Sequence, residues 1–123
     1  MRPLLLAAAV LALALAGCSS TPAGPTTPPK NQAGMYEIHL VGQQFQPRNA
    51  QVPANSTVVW ILDSGAPHDV RSDDPNFPSS GPAELKTIGQ AYQAHFDTPG
   101  DYDYYCSVHK STGMTATLHV VAK

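Results

Sequence analysis

The sequence has few charged residues and no cluster of basic ones. Lys and Arg number 7 and Asp and Glu number 9 in 123 residues, which gives a formal net charge of −2. A Gly-rich phosphate-binding loop is missing as well. Proteins that bind nucleic acids need a basic surface to neutralise phosphates. We therefore expect no nucleic-acid partner.

A hydrophobic run long enough to cross a membrane is also missing. The longest apolar run, Leu4–Leu15, has about 12 residues, whereas a membrane-spanning helix needs roughly 20. A basic residue, Arg2, precedes this run, and the combination is typical of a secretory signal peptide. The sequence then reads Leu-Ala-Gly-Cys, ending at Cys18. This tetrapeptide resembles the lipobox of bacterial lipoproteins.

The lipobox resemblance implies that the chain is cut before Cys18 and that the cysteine sulfur carries a diacylglycerol. We therefore predict a signal peptide over residues 1–17 and a secreted protein, lipid-anchored to a membrane and facing the periplasm or the cell exterior. Two or more acyl chains would hold it there stably. The alternative is an ordinary signal peptide that contains a cysteine near its end.

The next residues have the composition of a linker. Residues 19–34 contain four prolines among Ser, Thr and Gly and show no apolar periodicity. We therefore predict that residues 18–34 form the lipidated cysteine and a tether. If largely extended, the 16 residues of this tether would reach roughly 50 Å. The tether would let a folded head reach partners in the same membrane, and a passive spacer is the alternative.

The remaining residues, 35–123, are enough for one domain with a single core. Apolar and polar residues alternate at 36–40, 92–96 and 115–121, and residues 57–62 form a continuous β-branched and aromatic run. Short strands separated by turn residues predict an all-β sandwich or barrel. Residues 71–89 lack a clear period and contain Pro and Gly. We expect a long loop there, with one short helical turn around residues 83–86.

Four side chains in this domain have the chemistry of metal ligands. With Cys18 assigned to the lipid, Cys106 is the remaining cysteine of the two. His109 follows three residues later, Met114 follows five residues after that, and His68 lies about 40 residues upstream. Two imidazole nitrogens, a thiolate and a weak thioether form the ligand set of electron-transfer copper. Sulfur favours Cu(I) and imidazole suits both oxidation states, so such a site rearranges little during electron transfer.

The segments around these residues resemble cupredoxins of the plastocyanin type, including lipid-anchored prokaryotic relatives such as halocyanin. The Cys-x2-His-x4-Met loop has the plastocyanin length, and the resemblance extends to the Pro-His dipeptide before the loop and to the Thr-Pro-Gly turn at 98–100. It implies a Greek-key sandwich of about seven or eight strands that binds one type 1 copper. By this resemblance, the copper ligands are His68, Cys106, His109 and Met114.

Two residues near these ligands depart from the pattern of the family. Asp69 stands where Asn is usual, and its carboxylate can still accept hydrogen bonds from Ser107, although its charge would oppose reduction of copper. Val108 stands where Pro is common, which leaves a backbone N–H available to the cysteine sulfur or to solvent. Hydrogen bonds of this kind tune the reduction potential of a metal centre.

These features predict an electron carrier that is not an enzyme. We expect electrons to pass through the exposed ring edge of His109 to redox proteins such as a cytochrome, an oxidase or a reductase. The carrier is expected to be a monomer that binds each partner briefly. Lys110, beside this histidine, is expected to face solvent.

Two other functions remain open at this point. One is storage or delivery of copper. The other is an accessory domain of a copper oxidase or nitrite reductase system. Enzymes of that kind need further copper held by paired histidines, and the sequence contains no His-x-His motif.

Overall fold

Seven β-strands form most of the regular structure of residues 24–123, which are the residues that this computed structural model describes. The predicted signal peptide and Cys18 lie outside the described residues. No helix in the described part is long and apolar enough to cross a membrane. A 3-10 helix, Lys110–Thr112, precedes the last strand. The strands are β1 Tyr36–Val41, β2 Gln44–Gln46, β3 Asn49–Pro53, β4 Ser56–Leu62, β5 Ala91–Phe96, β6 Gly100–Tyr105 and β7 Thr115–Val121.

The strands form two sheets, with the order β2-β1-β4-β5 in one and β3-β7-β6 in the other. β1 is parallel to β4 and β3 is parallel to β7, while the other neighbours are antiparallel. The all-β Greek-key fold predicted from the sequence is confirmed. β1 and β4 run toward the end of the molecule that carries His68, because His68 lies in the loop after β4. β7 follows Met114 directly, so β3 and β7 run away from that end.

Alternating side chains of the strands build one core. Tyr36, Ile38 and Leu40 of β1 are buried, and their neighbours in the sequence are partly exposed. β7 has the same alternation, as its sequence pattern predicts. Trp60 of β4 is fully buried at the centre of this core. Its ring lies against four other aromatic rings, Phe77, Tyr92, Phe96 and Tyr104.

The helical turn expected around residues 83–86 is not formed, and that prediction is wrong. Leu85 instead pairs with His68 as an antiparallel bridge. The His68 N–H donates to the Leu85 carbonyl at 2.8 Å, and the Leu85 N–H donates to the His68 carbonyl at 2.9 Å. The Leu85 side chain is fully buried. Burial of this leucine and two hydrogen bonds to a distant segment therefore outweigh the local preference for a helical turn.

Part of the segment expected to be a tether lies against the domain. The Thr26 N–H donates to the Asn49 carbonyl at 2.9 Å, and the Gln51 N–H donates to the Thr26 carbonyl at 3.0 Å. Thr26 thereby forms a parallel bridge with Ala50, on the outer edge of β3. Further along, Lys30 forms an antiparallel bridge with Tyr36. Residues 26–30 thus join the fold before the domain boundary predicted at residue 35.

Candidate metal centre

The loop after β4 fixes the position of His68. The backbone of this residue is held by the bridge to Leu85, and its side chain is fully buried. The ring Nε2 lies 3.0 Å from the Ser64 carbonyl oxygen. A carbonyl can only accept, so Nε2 carries the proton, and the Nδ1 lone pair of the neutral ring is free to bind a metal. The loop that leads to His68 also requires a glycine at position 65. The φ of Gly65 is 80°, and a Cβ there would collide with the backbone of Gly42.

The loop between β6 and β7 places three of the predicted ligands. The Cys106 N–H donates to the Met114 carbonyl at 3.0 Å, which closes the loop at its base. Within the loop, the N–H groups of His109 and Met114 donate to the carbonyls of Cys106 and His109, each at 3.2 Å. Gly113 ends the short 3-10 helix with φ 92°, a conformation that favours glycine. The chain therefore returns to β7 with Met114 at the first position after the turn.

Three donor atoms from the two loops meet at one point. Cys106 Sγ lies 3.6 Å from the Nδ1 atoms of both His68 and His109, and these two nitrogens are 3.2 Å apart. A point equidistant from the three atoms lies about 2.0 Å from each, which is the length of a metal–imidazole bond. The donor set therefore fits a transition-metal ion in trigonal coordination.

Met114 lies beside this group, directly before β7. Its side chain is fully buried, and its backbone is bonded to both Cys106 and His109. A buried thioether next to a trigonal donor set is the arrangement expected for a weak axial ligand. The assignment of Met114 as the fourth ligand stays a prediction.

The surroundings of the donor atoms favour a neutral His68 and restrain ionisation of the thiol. Burial lowers the pKa of His68 below its ordinary value, and repulsion from His109 adds to this effect. Burial also raises the pKa of the Cys106 thiol, while the backbone N–H groups of Asp69, His109 and Val108 oppose the rise. The Val108 N–H, which a proline at that position would lack, thus helps to stabilise the thiolate. Metal binding requires a deprotonated thiol, so these N–H groups favour binding.

Asp69 connects the two loops, as the sequence led us to expect. This residue is fully buried. Its Oδ1 accepts a hydrogen bond from the Ser107 N–H at 2.6 Å, and its Oδ2 accepts from the Ser107 hydroxyl and from the Ala83 N–H, the latter at 2.9 Å. All three partners are donors, which suits a carboxylate. The bond from Ala83 brings in the 71–89 loop, a contact that the sequence alone did not reveal.

The surface around His109 consists largely of small and apolar residues. His109 itself is partly exposed, and Ala66, Pro67 and Gly113 beside the metal centre are exposed. Val108 adds an apolar side chain that is 41% exposed. An uncharged surface of this kind can bind and release a partner without desolvating charges.

Lys110 is exposed, as predicted, but it also has partners on its own chain. Its Nζ lies 3.9 Å from the centre of the Tyr105 ring and 3.7 Å from a carboxylate oxygen of Asp73. The Tyr105 hydroxyl donates to the same carboxylate at 2.8 Å. Asp73 has no recognisable signal in the sequence, because this residue lies in the long loop about 30 positions before Tyr105.

The remaining histidines lie outside the centre. His39, His95 and His119 lie on strands with their rings at the surface, and each contacts a carboxylate at 2.6 to 2.9 Å. Among the described residues, His68, Cys106 and His109 form the group of potential metal-binding side chains with donor atoms within 4.8 Å of one another. The structure thus brings together three of the four predicted ligands at the distances that a metal requires.

A two-sheet Greek-key fold with this donor set defines a cupredoxin. The family described as copper binding proteins, plastocyanin/azurin family, matches residues 34–121. The chain therefore belongs to the plastocyanin/azurin family of copper-binding proteins, and its cofactor is one copper ion.

Individual relatives agree with this assignment. Plastocyanin from Scenedesmus fuscus is 36% identical over 83 residues, which cover 62% of this chain and 85% of the relative. Amicyanin-alpha from Methylorubrum extorquens is 30% identical over 78 residues, covering 63% and 66% of the two chains. Among solved structures, a purple cupredoxin from Nitrosopumilus maritimus aligns with a TM-score of 0.59 and 26% identity over 69% of this chain and 98% of that one.

A copper-containing enzyme shares the same fold over a small part of its length. A Cu-containing nitrite reductase from Thermus scotoductus aligns with a TM-score of 0.56 and 25% identity. The alignment covers 71% of this chain but 22% of the reductase chain. The similarity therefore concerns about a fifth of that chain.

Proposed function

We propose that this protein carries single electrons between redox proteins by means of one type 1 copper ion. The observation that carries the proposal is the convergence of His68 Nδ1, Cys106 Sγ and His109 Nδ1 within 3.6 Å of one another. Copper, when bound there, supplies the Cu(I)/Cu(II) couple. Membership of a family that includes plastocyanin and amicyanin supports an electron carrier.

The protein contributes rigidity and access to this function. The bridge between His68 and Leu85, the Cys106–Met114 hydrogen bond and the Asp69 contacts hold the donor atoms in nearly fixed positions. A site that cannot relax toward the preferred geometry of either oxidation state changes little during electron transfer. The partly exposed ring of His109 gives a short path from the centre to the surface. We infer that partners dock at this end as transient complexes with a monomer.

Two features support an electron carrier over the alternatives. An enzyme needs a place for substrate beside the metal, yet the described residues provide one group of metal-binding side chains, and two of its three members are buried. Copper delivery needs ligands that can move away from the metal. His68 and Cys106 are instead fully buried, and their backbone N–H groups are hydrogen-bonded to the carbonyls of Leu85 and Met114, respectively.

Replacing Met114 with leucine is expected to keep the copper and raise its reduction potential. Loss of the axial thioether removes a donor that stabilises Cu(II), so Cu(I) becomes relatively more favourable. We expect an increase of roughly tens of millivolts in voltammetry of the copper-loaded protein. Met35→Leu is the matched control, because Met35 lies at the opposite end of the domain, in the turn before β1. An unchanged potential in Met114→Leu would argue against an axial methionine.

Replacing Asp69 with asparagine is expected to raise the reduction potential and to lower stability. Removing one negative charge near the copper ligands destabilises Cu(II) relative to Cu(I), so the reduction potential should rise by roughly tens of millivolts. The amide NH2 group cannot accept a hydrogen bond from the Ala83 N–H. A buried donor left without a partner lowers the free energy of unfolding by about 1–3 kcal/mol. Voltammetry and denaturant unfolding measure the two effects. Asp97→Asn, which changes an exposed carboxylate, is the control. A reduction potential that falls in Asp69→Asn would contradict this account.

We also propose that the mature protein is anchored to a membrane by lipid on Cys18 and faces the periplasm or the cell exterior. The support is the Leu-Ala-Gly-Cys sequence after a short apolar run. Cys18→Ala should move the protein from the membrane fraction to the soluble fraction, as measured by fractionation and immunoblotting. Ser19→Ala is the control, since it leaves the cysteine in place. A Cys18→Ala variant that stays in the membrane fraction would refute lipid anchoring at this residue.

A further inference from the structure

The bridge between Thr26 and Ala50 fixes the direction from which the chain enters the domain. β3 is parallel to β7, and β7 starts directly after Met114, at the copper end. The Thr26–Ala50 bridge is also parallel, so residues 26–30 run away from the copper end beside β3. Gly24 and Pro25, the described residues before Thr26, therefore lead into it from the side of the copper centre.

The register gives the position of this entry point. Ala50 pairs with Leu118, four residues beyond Met114, which places Thr26 about 13 Å along the strands from the copper end. The residues that follow are held as well, since Pro28 is buried and the Glu37 N–H donates to the Pro29 carbonyl at 2.9 Å. Contacts at both ends of the segment make this part of the chain a component of the domain.

The length of chain left between the anchor and the domain is therefore short. Five residues lie between Cys18 and Gly24, the first described residue, so Gly24 is at most about 20 Å from Cys18. A tether that was free over all of residues 19–34 would reach roughly 50 Å. The pairing of residues 26–30 thus removes most of the expected reach.

We propose that this docked segment orients the anchored protein with its copper end toward the membrane. The inference rests on the proposed lipid anchor at Cys18 and on the proposed electron-carrier function. Thr26 lies level with the middle of β7, and the chain reaches it from the copper side. Gly24, two residues earlier, lies within about 20 Å of the anchored residue. The residues Ala66, Pro67 and Val108 around His109 at this end are uncharged and exposed. The partner that fits this arrangement is a redox protein embedded in the same membrane, with its electron-exchange site close to the bilayer surface.

Energy transfer from two positions on the protein to the bilayer tests the orientation. Gln43 is exposed at the copper end, where its side chain accepts a hydrogen bond from the Thr112 hydroxyl at 2.7 Å. Thr98 is exposed in the turn between β5 and β6, at the opposite end. Each would be replaced by cysteine in the full-length, lipidated protein and labelled with a donor dye. The protein would then be reconstituted in phosphatidylglycerol and phosphatidylethanolamine vesicles that contain an acceptor-labelled lipid.

The two labels are expected to give different results. A strand of six residues is about 20 Å long, so transfer from position 43 should be about twofold or more that from position 98. A flexible Gly-Ser insertion of about 12 residues between positions 23 and 24, which leaves the docked segment intact, should remove most of this difference. A difference that survives the insertion would indicate that the surface of the domain, rather than the tether, sets the orientation, and would overturn the proposal.

Equal transfer from the two labels, or stronger transfer from position 98, would also overturn the proposed orientation. This result can be told apart from failure of the proposed function. If Cys18 carries no lipid, neither labelled protein binds the vesicles, and both the anchor and the orientation are refuted. If the centre carries no electrons, voltammetry is silent while the difference between the labels remains.

Discussion

The Cys106→Ser variant will lose essentially all of the intense blue absorption expected of the copper-loaded protein. That colour requires charge transfer from a thiolate to Cu(II), and Cys106 Sγ is the thiolate that faces both His68 Nδ1 and His109 Nδ1, at 3.6 Å. A serine hydroxyl is similar in shape but does not ionise near neutral pH and is a harder ligand, which Cu(I) disfavours. Visible absorption, measured together with the copper content of each sample, gives the result.

Two controls make the Cys106→Ser result specific. Cys18→Ser removes the other cysteine of the chain and should keep the full colour. Circular dichroism should show the β-sheet signal in both variants, because Cys106 lies just after β6 and its replacement leaves the strands in place. A folded Cys106→Ser variant that retains the blue band would show that the colour has another source and that the ligand assignment is wrong.

Replacing Trp60 with alanine is expected to cost about 3–5 kcal/mol in the free energy of unfolding. The indole is fully buried, and its ring centre lies 5.6 to 6.3 Å from the centres of four other aromatic rings. Alanine leaves a cavity between the two sheets that these rigid neighbours cannot fill. Denaturant unfolding of the protein, with and without copper, measures the loss.

Ile88→Ala is the matched control for the core, since Ile88 is a large apolar residue that is 71% exposed. We expect its effect to stay within about 0.5 kcal/mol. A similar loss of stability in both variants would contradict the placement of Trp60 at the centre of the core. If Trp60→Ala lowers the free energy of unfolding strongly but the copper absorption of the folded protein is unchanged, the core contributes to stability without affecting the geometry of the metal loops.

The strands could be predicted because each has a local pattern. Alternation at Tyr36, Ile38 and Leu40 and at residues 115–121 needs no knowledge of the partner strand, and β1 and β7 follow it closely. Pairing between distant segments has no such signal. The bridge from His68 to Leu85 and the bond from Ala83 to Asp69 join residues 14 to 17 positions apart, within a loop of irregular composition.

The metal centre was predictable to a similar extent. Cys106, His109 and Met114 lie in one short loop, so their spacing alone was informative, and the Pro-His dipeptide identified His68. The contacts of Asp69 with Ser107 were expected, whereas those of Tyr105 with Asp73 and Lys110 were not. The docked segment was missed for another reason. Its Pro and Thr residues have the composition of a linker, and Thr26 pairs through its backbone, which any composition can supply.

Voltammetry of the protein loaded with one equivalent of copper tests the central claim most directly. If His68, Cys106 and His109 hold a copper ion that alternates between Cu(I) and Cu(II), the protein will give one reversible one-electron wave, and the Cys106→Ser variant will not. A folded, copper-loaded protein with no reversible wave would contradict the proposed function.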